Sequence, residues 1–260
     1  MDYFEKIEQK PKEDLSWNIP ERKQGSVNVI GGNAQNFKNE IKVSEFLTEK
    51  YPIERVKTVL PDTLKTKLPN LENFSFLPAT ETGSFKESQA LIDIFNEADF
   101  NLLVGDLSKN KATAKGLTSA IKNTEKMTLI TRDAVDLVAE EMSEKLLMNE
   151  NLIFFASVAQ LIKILRAVYY PKMLLMSQSL IQVADVLHKF TLSYPVAIVT
   201  LHNEQVLIAK NGDVKAVSLE KSGFSPLTIW NGELAGKITA LNLYNPNNFL
   251  DATIGAVFKN

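Results

Sequence analysis

Two glycine-bearing stretches and a handful of carboxylates are the residues of this chain whose types and spacing could do chemistry. In "GSVNVIGGNAQNF" (Gly25 to Phe37) a short apolar strand runs into Gly31, Gly32 and Asn33 ahead of a helix. Glycines at such a junction let backbone N–H groups face a ligand, and the helix start favours an anion. The stretch lacks the G-x-G-x-x-G dinucleotide fingerprint, and no Walker sequence occurs, so a plain turn is the competing reading. In "TIWNGELAGKITALNLY" (Thr228 to Tyr244) Asn231 can cap a helix, with Gly232 and Glu233 in its first turn and Gly236 allowing close approach of another backbone. An acid there could take a proton from a substrate hydroxyl or orient a metal-bound phosphate; it could equally be an ordinary stabilising first-turn acid. Asp106 and Asp133 follow predicted strands, where open α/β sheets gather ligands, although each also suits a helix cap. His202 ends a predicted strand and His188 lies on a predicted helix. Neither has an evident acid partner, so a Ser-His-Asp arrangement is not supported.

The elements that must position these residues follow from hydrophobic patterning. Strands are expected at Val27 to Ile30, Arg55 to Pro61, Asn73 to Pro78, Asn101 to Leu107, Met127 to Thr131, Leu152 to Ser157 and Val196 to Leu201. Helical periodicity falls between most of them: Phe37, Ile41 and Leu47 recur with Lys38, Glu40 and Lys42 interspersed, and Ala134 to Leu147 reads as one helix. Further helices are expected near 93–98, 112–122, 158–168, 178–190, 232–243 and 248–258. "QVLIAKNGDVKAVSL" is two β-rich runs joined by Asn211-Gly212, a strong hairpin signal that predicts a mixed sheet edge. Repeated strand-then-helix units predict an α/β fold, a three-layer α/β/α arrangement with a mostly parallel central sheet. Residues 1–24, charged and containing Trp17 and Ile19, read as an N-terminal arm, and 25–260 as a single domain.

Composition narrows the function. A formal net charge of -2 over 260 residues supplies no global field for nucleic acid or an acidic membrane. Lys and Arg form no basic patch interleaved with aromatics. Without cysteine there are no disulfides, thiolate metal sites or cysteine nucleophiles, and two histidines argue against an imidazole zinc site. No metal ligands are assigned. "MDYFEKIEQKPKED" has no apolar core, so it does not read as a signal peptide, and the apolar runs are far shorter than a membrane span. A soluble cytoplasmic protein with a small-molecule or nucleotide ligand is the expectation.

The order of these segments resembles the ribokinase-like superfamily, most closely the ADP- or ATP-dependent NAD(P)H-hydrate dehydratases, over about Gly25 to Phe258. "NVIGGNAQNF" is similar to the family's opening strand, glycine pair and helix. "LLVGDLSKN" resembles a strand that usually ends in Gly-Pro-Gly-Leu-Gly, of which Gly105 remains. "LITRDAVDL" resembles the strand ending in Asp-Ala-Asp-Ala-Leu, with Asp133 at the second acid and Thr131 at the first. "WNGELAGKITAL" resembles Gly-Thr-Gly-Asp-Val-Leu-Ala-Gly, keeping Leu234, Ala235 and Gly236.

The resemblance implies an anion hole and a catalytic base at that last stretch, with Glu233 as the base after a one-residue deletion. Asn231, Gly232, Gly236 and Thr200 would then lie on the nucleotide side. Gly31, Gly32, Asn33, Asp106, Asp133 and Ser157 would lie on the substrate side. ADP or ATP with Mg²⁺ is the implied cofactor if the chain is active, and self-association is implied because the family often forms oligomers. The departures are substantial. Ile229 and Trp230 replace small residues at the anion hole. Ser157 and Gln160 stand where the family has histidine and glutamate, and Thr200 and Leu201 where it has Lys-Gly. A backbone hole that wraps phosphate needs small residues, and the lost charges handled metal-bound phosphate. The sequence therefore predicts a degenerate relative with a ligand- or protein-binding role. The alternatives are a live NAD(P)H-hydrate dehydratase, or a carbohydrate or vitamin kinase, using Glu233.

Overall fold

A computed structural model describes residues 2–8, 19–68, 72–222, 225 and 230–258; Trp17 and Ile229 lie outside them. The strands are β1 (Phe4–Ile7), β2 (Ser26–Gly31), β3 (Arg55–Pro61), β4 (Phe74–Leu77), β5 (Phe100–Gly105), β6 (Met127–Thr131), β7 (Leu152–Phe155), β8 (Ala197–His202), β9 (Gln205–Lys210) and β10 (Asp213–Ser218). The helices are α1 (Lys38–Lys50), α2 (Gln89–Glu97), α3 (Lys111–Lys122), α4 (Asp133–Glu140), α5 (Glu144–Leu147), α6 (Val158–Ala167), α7 (Leu180–Ser193), α8 (Leu219–Ser222), α9 (Glu233–Tyr244) and α10 (Phe249–Val257).

All ten strands form one sheet in the order β1-β10-β9-β8-β7-β6-β5-β2-β3-β4. Every pairing from β4 to β8 is parallel, and β9 alone runs against its neighbours. The central strands are apolar on both faces because helices cover both. Ile30, Leu103, Ile130 and Phe154 pack against α2, α3, α4, α6 and α7. Val29, Leu102, Leu129 and Phe155 pack against α1, α9 and α10. The fold class is thus α/β in three layers, as the strand-helix alternation predicts.

Turn chemistry explains the mixed edge. Asn211 and Gly212 have φ of 52° and 85°, and Asn203 and Glu204, between β8 and β9, have 47° and 59°. Both are two-residue hairpins of the kind that matches strand twist. The segment expected to be a single helix from Ala134 to Leu147 is instead α4 and α5, interrupted where Ser143 takes an extended conformation (φ -148°, ψ 156°). The first 24 residues contribute an edge strand: β1 lies parallel to β10, and Tyr3 stacks on His188 at 3.8 Å. Among the described residues no helix is long and apolar enough to cross a membrane.

Candidate functional site

The chain leaves β2 for β3 on one side and later returns to β5 on the other. The carboxyl ends of β2 and β5 therefore flank a topological switch point, where open α/β sheets have their crevice. Gly31 ends β2 there. A Cβ on it would stand 2.5 Å from Glu40 Oε1 and 2.5 Å from the Gly105 carbonyl, so only glycine leaves room for the Glu40 carboxyl. Gly32 has φ of 87° and donates its N–H to the Gly105 carbonyl at 2.8 Å. The glycine pair thus accommodates a carboxyl group and turns the chain.

The side chains around this crevice close on one another. Asn33 accepts the amides of Gln35 (2.9 Å) and Asn36 (3.1 Å) and donates to the Asp106 carbonyl at 2.6 Å. Asp106 and Arg132, at the ends of adjacent strands, both have positive φ (53° and 56°) although neither is glycine. Such backbone strain persists only where surrounding contacts fix it, and it concentrates at functional sites. Their side chains form an ion pair, Nη2 to Oδ1 at 2.8 Å and Nη1 to Oδ2 at 3.3 Å, and Asn39 donates to Asp106 Oδ2 at 2.8 Å. Asp133 accepts the backbone amides of Asp106 (2.8 Å) and Leu107 (2.9 Å). Burial raises its pKa, partly offset by those two amides.

Beneath this network lies Glu40, on the first turn of α1. It is fully buried, and neither carboxyl oxygen has a hydrogen-bond partner on another described residue. Burial first, then the charge of Asp106, pushes its pKa well above the ordinary carboxylate range; its own backbone amide and then Arg132 pull the other way, and Asp133 adds to the rise. The sequence pattern places Glu40 among solvated charges between Phe37, Ile41 and Leu47. The buried stripe is instead Glu40, Val43, Ser44 and Leu47, at helical spacings of three, four and seven, and that spacing is the signal that could have found it.

Ser157 and Gln160 build a capping box for α6. The Ser157 hydroxyl accepts the Gln160 amide at 3.2 Å, and Gln160 Oε1 accepts the Ser157 amide at 3.0 Å. Gln160 also donates to the Arg132 carbonyl (2.6 Å) and to Asp136 Oδ2 (2.8 Å), and Lys163 pairs with Asp136. Thr200 is fully buried in β8, with no partner for its hydroxyl among the described residues. His202 is buried, with Nε2 2.7 Å from the Gln178 carbonyl; His188 Nδ1 is 2.5 Å from the Gly212 carbonyl.

At the start of α9, Gly232 takes φ of 96°, and a Cβ there would lie 2.9 Å from Val43 Cγ2. The Asn231 side chain accepts the Glu233 amide at 2.9 Å. Trp230 lies over the end of β7, its ring stacked on Phe155 with centroids 5.5 Å apart and 26° between planes. Glu233 is exposed and borders a groove of about 190 Å³ with Asn39, Lys42, Val43, Phe46 and Asn231. Gly236 packs beside the Phe46 ring, 3.4 Å from where its Cβ would be. Gly31, Gly32, Asn33, Asp106 and Asp133 thus converge on the switch point, whereas Glu233, Asn231 and Gly232 form a second locus joined to it through Asn39. Ser157 reaches the first only through Gln160. Among the described residues no group of three or more His, Cys, Asp or Glu is arranged to hold a metal ion.

No protein-family model matches the chain, and no curated protein matches it in sequence. Solved structures do match in fold. A ribokinase-like superfamily protein from Enterococcus faecalis superposes with a TM-score of 0.66 at 16% identity, covering 99% of this chain and 86% of that one. The ADP/ATP-dependent NAD(P)H-hydrate dehydratase from Bacillus subtilis, co-crystallized with ATP/Mg²⁺, gives 0.60 at 12% identity, covering 95% and 85%. A Bacillus subtilis pyridoxal kinase in an ADP complex gives 0.53 at 11%, covering 90% and 88%. The fold is therefore ribokinase-like, shared with kinases and with an NAD(P)H-hydrate dehydratase.

Proposed function

We propose that this chain is a catalytically degenerate relative of the nucleotide-dependent NAD(P)H-hydrate dehydratases, which keeps their fold to bind a small molecule and carries out no phosphoryl chemistry. The observation that carries the reading is the start of α9. An anion hole needs free backbone amides and space beside them. Here the Glu233 amide is taken by Asn231, and the indole of Trp230 is stacked over the adjoining strand end. The crevice supports the same reading. A phosphate approaching it meets the carboxyl groups of Asp106 and Asp133, and the guanidinium of Arg132 is already paired with Asp106.

ATP and ADP are the ligands to test first, since two structural neighbours were crystallised with them. Thermal melting with ATP or ADP and Mg²⁺ should leave the midpoint unchanged, because a ligand selective for the folded state must raise it. A saturable rise that disappears in Glu233→Ala would overturn the reading. A second reading, an active dehydratase or small-molecule kinase with Glu233 as the acid/base group, is favoured by the exposure of Glu233 beside Lys42 in an open groove. Turnover of hydrated NADH with nucleotide would establish it.

A further inference from the structure

The groove between α1 and the start of α9 is lined by two opposite charges that do not close on each other. Asn39, Lys42, Val43 and Phe46, at helical spacings of three, four and seven, line it from α1, and Asn231 and Glu233 line it from the start of α9. Elsewhere on the surface opposite charges pair directly: Arg55 with Glu97 at 2.7 Å, and Lys215 with Glu5 at 2.6 Å. Lys42 and Glu233 are both exposed, and neither has an ion-pair partner on another described residue. The two asparagines add an acceptor and a donor, and their existing bonds fix which is which. Asn39 donates its amide N–H to the Asp106 carboxylate, so its carbonyl oxygen is left to accept. Asn231 accepts the Glu233 amide on its carbonyl oxygen, so its NH₂ group is left to donate. α1 therefore offers a cation and an acceptor, and the start of α9 an anion and a donor. Val43 and Phe46 supply an apolar wall.

We propose that this groove binds a small free α-amino acid in its zwitterionic form. The ammonium bridges the Glu233 carboxylate and the Asn39 carbonyl, the carboxylate bridges Lys42 and the Asn231 amide, and the side chain lies along Val43 and Phe46. Each pole of the ligand thus ties α1 to α9. The groove, about 190 Å³, holds the volume of roughly six waters at liquid density, which suits a molecule of this size. The proposal rests on the preceding reading that the chain binds a small molecule and carries out no phosphoryl chemistry. Half a ligand does not answer the groove: a lone amine leaves Lys42 facing a like charge, and a lone carboxylate does the same for Glu233. Charge-assisted hydrogen bonds at both poles also fix which end of the ligand lies where.

The test titrates the full chain with L-valine and L-methionine, read by calorimetry and by thermal melting. The controls, at equal ionic strength, are isobutylamine, which is valine without its carboxylate, and isovalerate, which is valine without its ammonium. The expected result is saturable binding of both amino acids with a raised melting midpoint, and binding of each control weaker by about tenfold or more, the loss of one charge-assisted contact. Lys42→Met and Glu233→Gln alter exposed side chains, so each should keep the parent's midpoint without ligand and bind valine weaker by about tenfold or more. No saturable binding of either amino acid, a control that binds as tightly as valine, or undiminished valine binding in either variant would overturn the proposal. The reading beneath it falls on a different result, stabilisation by ATP or ADP with Mg²⁺, so the two can fail separately.

Discussion

Replacing Glu40 by glutamine should make the protein more stable at neutral and alkaline pH and flatten its stability profile. Glu40 is fully buried with no hydrogen-bond partner on another described residue, and burial together with the Asp106 charge holds its folded pKa well above the unfolded value of about 4.3. A raised carboxyl pKa means that the folded state binds the proton more tightly. The resulting stability is fully present below the unfolded pKa and is lost as pH rises through the folded one. Within that window each pH unit costs about 1.4 kcal/mol, which for a chain of this size is about 3 °C in melting temperature. Asp133, also raised, contributes with the same sign. Asp185, lowered to about 2 by its lysine partners, acts with the opposite sign at acid pH and is screened by solvent. The difference between wild type and Glu40→Gln cancels both. Melting followed by circular dichroism from pH 4 to pH 9 should show the two curves diverging in favour of the glutamine variant as pH rises. Parallel curves, or a glutamine variant that loses stability faster with rising pH, would refute the account of a buried neutral acid.

Gly105→Ala places a Cβ 2.1 Å from Asp133 Oδ1 at a φ of 120°, and should lower stability by at least about 2 kcal/mol in urea titration. Ser157→Ala removes the capping-box acceptor of α6 and should cost about 1 kcal/mol by the same measurement. Trp230→Ala should cost about 1 kcal/mol from the lost Phe155 stack alone. In combination with Asn231→Ala, which frees the Glu233 amide, it should make ADP binding detectable by calorimetry where the parent chain shows none.

Most of the layered fold is legible because it rests on local signals. Apolar runs such as Leu102 to Val104 and Ile153 to Phe155 mark strands covered on both faces, and Asn211-Gly212 specifies its hairpin. β1 was not legible: "FEKI" lies in a charged segment, and it is a strand only because β10 offers an open edge. The α4–α5 interruption was likewise hidden, since Leu137, Val138, Met142 and Leu146 keep a helical period across it. At the site, Asn33, Asp106 and Asp133 stand out by position after strands, but their partners are one another and distant backbone amides, which local sequence does not encode. Asn39 and Arg132 gave no signal for the same reason. Glu40 did give one, through its spacing to Val43 and Leu47, but the charges at Lys38 and Lys42 draw it to the solvated face.

The central claim is that the start of α9 has no place for a phosphate. Crystals soaked with ATP and Mg²⁺ test it most directly. The account predicts Asn231 still bonded to the Glu233 amide and Trp230 still against Phe155, with no nucleotide phosphate beside them. Phosphate oxygens accepting from the amides of Gly232 and Glu233, with Asn231 displaced, would contradict it.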